Sequence, residues 1–405
     1  MLSNNKLKPK IMKINLDLLI FIILILNTVN IFPLPQFFIL FSFFVIFLKI
    51  IVKNKIRLSL LILIYTLYLI VQLLSFWGLN ISSNVKSFFS YYFVSFCSYL
   101  LIIIILNINV KNINLQRSMV LASNIISITT IYNTYMLIKR GVDIIKIIMY
   151  RLVESYIGAT NYIAIILGII LPYGVSLLFS DKVLDKILSI LSIILSSIVI
   201  VLTLSRNGII VFLMSLILSI FLESRYNLKN KKILVKIFLI ILILSIIFIL
   251  FINMPLLYEN FLIRWKNLGT LSGREIIWRE SIYTFQHSNK ILGIGLGQLV
   301  GETYPSFPHN IFLQILVWNG ILGLLIFMAI MLVFLLKALI VIKYINFVDN
   351  KIRLVLIASM VSVFVGIISS FFEITINSPF FDIYFWSSMA IFEKYSLYIK
   401  INKRS

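Results

Sequence analysis

The chain has 405 residues, 61% of them apolar and only 12% charged. A water-soluble domain runs roughly 45–50% apolar and about 25% charged, so this composition excludes a soluble fold and implies an integral membrane protein. The net charge of +22, from 36 Lys and Arg against 14 Asp and Glu, would suggest nucleic acid in a soluble protein, but in a membrane protein its meaning depends on which side the charges fall.

A transmembrane helix takes ~20 apolar residues, so the apolar content supplies about 12 spans. Barrel strands would alternate in ~10-residue segments, whereas runs such as Ile237 to Ile252 are almost unbroken, and the predicted class is all-α. The first run follows a basic head and leads into Pro33 and Pro35 without a small-residue cleavage site, so it reads as a span and not a removable signal. In chain order, helices are expected at about 14–32, 36–52, 58–76, 88–109 and 118–137, forming the N-terminal unit 1–137. An outer loop covers 138–160, and spans at 161–180, 184–204, 207–222 and 233–252 make up the unit 161–252. A long outer loop occupies 253–310, and spans at 311–336, 353–372 and 382–398, with a short cytoplasmic tail, complete the unit 311–405. Within the long loop, Arg274 to His287 reads as a short helix, started by Thr270 to Gly273 and with Trp278, Ile282 and Phe285 on one apolar face, suited to lying on the membrane surface or against the bundle.

With the N-terminus inside, 25 of the 36 basic residues fall on cytoplasmic segments, the bias expected of inward-facing loops and anionic lipid contact; nucleic acid needs no place in this account. The remaining basic residues lie outside, against that bias, and an anion is their obvious partner. Arg206 stands between two apolar runs in VLTLSRNGIIVF. An Arg at a membrane edge is a functional-site hypothesis, and Ser205, Asn207 and Gly208 complete a small anion clamp; the competing reading is a side chain snorkelling to the interface. Arg274 follows Gly273 at the start of the loop helix, and Arg279 sits five positions further on. For both, Glu275 and Glu280 offer an ordinary solvated-pair explanation, which weighs more on Arg279. Arg151 shares its loop with Glu154, and a structural pairing is slightly favoured there.

Both histidines, His287 and His309, fall in the long loop. His309 is the better placed as a base: Pro308 fixes the approach, Asn310 caps the following span, and a neutral imidazole at the membrane edge takes a proton from a hydroxyl; the alternative is a turn residue chosen for interface polarity. The spacing of the two suits no metal site, and Cys97 has no partner for a disulfide. Gly293, Gly295 and Gly297 resemble a nucleotide loop only superficially, because no strand precedes them; a tight turn returning the loop helix to the bundle is expected.

Ser205-Arg206-Asn207-Gly208 at a span junction, Gly273-Arg274 followed by Trp278, Gly293-x-Gly295-x-Gly297, Pro308-His309-Asn310 and Gly320-x-x-Gly323 together resemble the polytopic O-antigen ligase and polysaccharide polymerase family over about residues 150 to 340. Residues 1 to 130 match it only as hydrophobic spans. The resemblance implies a membrane glycosyltransferase of the bacterial cytoplasmic (inner) membrane, using glycans linked through pyrophosphate to undecaprenol, working on the outer face without nucleotide sugar, cofactor or metal. It implies His309 as base, and Arg206 and Arg274, with Arg279 and Arg151, as pyrophosphate ligands. Its partners would be the lipid-linked oligosaccharide, membrane lipids and a chain-length regulator. A polymerase of O-antigen or capsule is favoured over a ligase acting on a lipid A core; from another class, a lipid-linked oligosaccharide flippase is the competitor.

The charge bias makes a direct prediction: a phosphatase that works only outside the cytoplasm, fused after Ser405, should be inactive. An active fusion would overturn the orientation and the outward placement of the site.

Overall fold

The computed structural model describes residues 59–79, 84–107, 112–153, 160–227, 274–301, 305–373 and 378–402, together with isolated positions between 255 and 266. The expected spans at 14–32, 36–52 and 233–252, and the proposed helix start at Thr270 to Gly273, lie outside the described residues. Among the described residues the chain is helical, with an isolated bridge between Val300 and Ser306 in place of any strand. The helices are α1 (Leu60–Leu74), α2 (Val85–Asn107), α3 (Asn112–Lys139), α4 (Ile144–Met149), α5 (Thr160–Leu177), α6 (Val183–Thr203), α7 (Arg206–Asn227), α8 (Arg274–Gln286), α9 (Ile311–Tyr344), α10 (Asn350–Ser369) and α11 (Pro379–Asn402).

Seven helices among the described residues are long and apolar enough to cross a membrane; α3 and α11, read as spans in the sequence, are not among them. The reason in α3 is a buried polar stripe: Gln116, Ser123, Asn124, Ser127, Thr130 and Thr134 are buried. Ser123 and Ser196 of α6 share a hydrogen bond at 3.0 Å, and Ser192 donates to Ser123 at 3.2 Å. Without water, close packing of small side chains and interhelical hydrogen bonds replace the hydrophobic drive between helices. In α11 the polarity comes from Asp382, Glu393 and Lys394, and Glu393 is held by Lys337 of α9 at 2.6 Å.

Helix α5 is the central pillar, buried along nearly its whole length and packed against α3, α6, α7 and α10. Pro172 inside it has no N–H to give to the carbonyl of Gly168, and Ser215 of α7 donates its hydroxyl there instead, at 2.5 Å. A proline is tolerated at membrane depth where a neighbour satisfies the freed group in this way.

Helix α9, expected to end near residue 336, runs to Tyr344 and is broken at Gly320, where φ is 64°. The break strands backbone groups, and the segment after α8 takes them up. Ile294 and Gly295 donate to the carbonyls of Val317 and Trp318 at 2.9 and 3.0 Å, while Ile321 donates to the carbonyl of Lys290 at 2.9 Å. The glycine run is therefore the expected tight turn, with Gly293, Gly295 and Gly297 all at positive φ. It seats a small separate core in which Ile277 and Phe285 of α8 meet Leu296, Val317 and Trp318. The predicted loop helix is present, with one correction to its inward face: Ile277, Trp278, Ser281 and Phe285 point inward, and Ile282 is exposed. Positions 277, 281 and 285 recur every four residues along one stripe, and 282 lies at its edge.

Gly320 allows a direct test. A Cβ there would overlap the carbonyl of Ile291, at a φ that L residues avoid. Gly320→Ala should destabilise the protein by about 2 kcal/mol or more, read as a lowered unfolding midpoint in detergent; an unchanged midpoint would show that the helix break is not needed.

Candidate active site

At one end of the bundle, residues from three separate segments bond the carboxylate of Glu373, which follows α10 and is 2% exposed, and two more reach it through Asn161. His309, in the turn before α9, places its Nδ1 at 2.8 Å from Glu373 Oε1. Arg274, the first residue of α8, donates from Nη2 to Oε2 at 3.2 Å. Asn161, in the first turn of α5, donates from Nδ2 to the same Oε2 at 2.9 Å. Its own Oδ1 accepts from Arg151 Nη2 and from Ser205 Oγ, the latter at 2.8 Å. A buried carboxylate is costly unless paired and hydrogen-bonded, and these donors meet that requirement.

Each member is positioned by local backbone chemistry. His309 has φ 50°, a turn conformation fixed on both sides: Trp278 of α8 donates its indole N–H to the carbonyl of Pro308 at 2.9 Å, and Asn310 caps α9 by accepting from Phe312 and Leu313 at 3.0 and 3.1 Å. The backbone of Ile311 donates to Ser370 at 2.9 Å, tying the turn to the end of α10 and so to Glu373. Arg151 also lies at positive φ, 56°, just after α4, a short helix capped by Asp143 and not expected in the 138–160 loop. Ser205 accepts from the backbone of Gly208 at 3.2 Å, which opens α7, and Asn207 donates to the carbonyl of Ser369 at 3.2 Å.

Of the residues singled out in the sequence, His309, Arg274 and Arg151 are joined through Glu373 and Asn161. Arg206 is half-buried and sits beside Ser205, whose hydroxyl reaches the network. Arg279 is exposed on α8, with no hydrogen bond or ion pair among the described residues, and its solvated reading fits that position. His287 is exposed on the outer side of α8, its Nδ1 at 2.9 Å from the carbonyl of Tyr283. Among the described residues no group of three or more His, Cys, Asp or Glu could hold a metal ion.

Glu373 and Asn161 were not singled out in the sequence. The signal for Glu373 was present: an isolated acid in SSFFEITIN, at the end of an apolar run, in a chain with only 14 acidic residues. Attention to misplaced cations alone passed over the anion that gathers them. Asn161, an amide in the first turn of an apolar helix, carries no distinguishing pattern.

The architecture defines a multi-pass membrane protein with a polar site at one end of its bundle, built from a histidine, a carboxylate and arginines. Residues 191–328 match the family model described as O-antigen ligase. The matched stretch contains Arg206, Arg274 and His309; Arg151, Asn161 and Glu373 lie outside it. A search of curated proteins finds no match.

Truncating Glu373 should expose its structural weight. Breaking a buried ion pair costs about 3–5 kcal/mol, but the Arg274 and His309 side chains are 23% and 30% exposed, so about 1–3 kcal/mol is expected for Glu373→Ala after allowing for solvent screening. Chemical unfolding in detergent measures it, and an unaltered midpoint would mean that the site is not held through this carboxylate.

Proposed function

We propose that the chain is a polysaccharide polymerase, transferring a glycan from undecaprenyl pyrophosphate to a sugar hydroxyl of another lipid-linked repeat unit, at the outer face of the bacterial cytoplasmic membrane, with inversion and without metal. The observation that carries this reading is the contact of His309 Nδ1 with Glu373 Oε1 at 2.8 Å. A carboxylate on Nδ1 favours the tautomer in which Nδ1 bears the proton, leaving the lone pair on Nε2 to act as base, and it stabilises the imidazolium formed once that pair is used.

The acceptor hydroxyl gives its proton to His309 Nε2 while its oxygen attacks the anomeric carbon. The bond from that carbon to the pyrophosphate oxygen breaks, and its electron pair leaves with undecaprenyl pyrophosphate. Attack from the face opposite the leaving group inverts the centre. Charge builds on the pyrophosphate as the bond breaks, and Arg206, with the N–H groups of Arg274 not turned towards Glu373, would stabilise it through charge-assisted, forked hydrogen bonds. Arg151 is held by Asn161 and adds positive potential at the same end; Arg279, exposed on α8, would meet the donor only at the rim.

The ligase reading shares this donor and this base, and differs in the acceptor, a lipid A core sugar. The family match covers both. A flippase would place its charges near the midplane at broken helices. The break at Gly320 is instead closed by the backbone of residues 290–295, and the ion pairs of Glu373 lie at the helix ends.

His309→Ala should stop bond formation while leaving delivery across the membrane intact, so that single lipid-linked repeats accumulate on the outer leaflet. Removal of a general base costs ~100- to 10,000-fold in rate, visible as collapse of the polysaccharide ladder to its shortest rung. His287→Ala is the internal control and should make normal polymer. Arg206→Lys keeps charge but loses the planar fork and should give the same collapse with normal membrane insertion. Full-length polymer from the His309 variant would overturn the base assignment, and repeats trapped inside would turn the reading to a flippase.

A further inference from the structure

Beside the His309–Glu373 pair lies an aromatic surface that the chemistry above does not use. Asn161, which bonds Glu373, is followed by Tyr162, half-buried and within electrostatic range of both the Glu373 carboxylate and the Tyr91 phenol. Tyr91 of α2 packs edge-to-face against Phe307 at 6.0 Å between ring centroids, two residues before His309, and against Trp318 at 5.1 Å. Trp318 is the fixed backing of this group: it is buried, and its indole N–H donates to the carbonyl of Gln298 at 2.7 Å.

Two further facts separate this group from ordinary core packing. Gly297 lies against the ring of Tyr91, where any Cβ would overlap it, so the backbone is shaped to hold that ring in place. The hydroxyls of Tyr91 and Tyr162 make no hydrogen bond among the described residues, and neither is sealed from solvent. A buried tyrosine usually finds a partner for its hydroxyl; here two half-buried phenols do without one, Tyr91 packed against Phe307 and Trp318, and Tyr162 adjoining the asparagine that bonds Glu373. Rings with apolar faces and free hydroxyls suit a ligand with C–H bonds on one face and hydroxyls at its edge, which is a pyranose.

We propose that Tyr91 and Tyr162 form a sugar-binding platform, on which one pyranose ring of the glycan stacks while its hydroxyls meet the two phenols beside His309. This rests on the glycosyl-transfer reading for the identity of the ligand, though not for the existence of the platform. The ring on it belongs either to the acceptor or to the transferred sugar of the donor; the chemistry is shared, and the probe decides between them.

The test uses the full-length protein in nanodiscs and two probes prepared from the producing strain: the oligosaccharide repeat released by mild acid, which lacks pyrophosphate, and the intact lipid-linked repeat. Binding is measured by saturation-transfer NMR titration. Tyr91→Ala and Tyr162→Ala should each weaken binding about tenfold, the loss expected from removing one well-packed aromatic contact, and Tyr162→Phe, which loses a single oxygen, about threefold. Weakening for the free repeat assigns the ring to the acceptor; weakening confined to the lipid-linked repeat assigns it to the donor. If an alanine variant misfolds, Tyr91→Phe and Tyr162→Phe carry the test, each with about threefold weakening expected. Unchanged Kd for both probes in folded variants, or failure of the wild-type protein to bind either, overturns the platform. Wild-type protein that binds the repeat without ever lengthening it leaves the platform standing and removes the polymerase reading; lengthening with unaltered acceptor KM and Kd in the variants does the reverse.

Discussion

A single carboxylate, that of Glu373, organises the polar end of this bundle. Taken out of water, it needs compensation from several directions, and the chain provides it from α5, α8 and the turn before α9, segments separated by 99 positions at Arg274 and 212 at Asn161. The same bonds fix the imidazole of His309 by its Nδ1 side and draw Arg151 and Ser205 in through Asn161. Satisfying the buried charge and assembling the site are thus one event. A carboxylate that holds both an imidazole and a guanidinium also sets how far apart they stand.

That convergence requires the segment of residues 274–301 to sit rigidly on the helices, and the break in α9 provides the means. An unbroken helix would satisfy its own backbone and offer nothing to a neighbouring loop. At Gly320 the ladder is interrupted, and the carbonyls of Val317 and Trp318 and the N–H of Ile321 become docking points for residues 290–295. The loop gains helix-like hydrogen bonding without being a helix. The position of α8, and with it Arg274 and the Trp278 contact to Pro308, follows from this exchange.

The bundle beneath follows the same rule of satisfying polar groups across helices. Serines serve both as small residues that let helices approach and as donors to carbonyls of neighbouring helices, as Ser215 does for Gly168 opposite Pro172 and Ser362 for Ile169 at 2.7 Å. At the opposite end from Glu373, Asp185 is held by Arg117 at 2.6 Å and by Ser180 at 2.6 Å, a paired charge that ties α3 to α6. Charge at both ends and hydroxyls between them leave the lipid-facing surfaces to Leu, Ile and Phe.

The sequence by itself determined the membrane class, the long apolar helices among the described residues, the short helix that begins at Arg274 and the turn at the glycine run, because each is written in local periodicity, composition or capping chemistry. It also marked Arg274 and Arg151 as charges out of place, although not their partner. Only the tertiary structure decided that partner: Glu373 and Asn161 act through contacts between segments far apart in the chain, and a lone acid or amide carries no sequence signal of what it will meet. The break in α9 was equally hidden, since Gly320 in an apolar run reads as a tolerated helix glycine until another segment is seen to occupy the space a side chain would need. The inward face of α8 was refined by the same means: Ile277 and Phe285 pack onto the core that the turn of residues 290–297 completes, and Ile282 is left exposed.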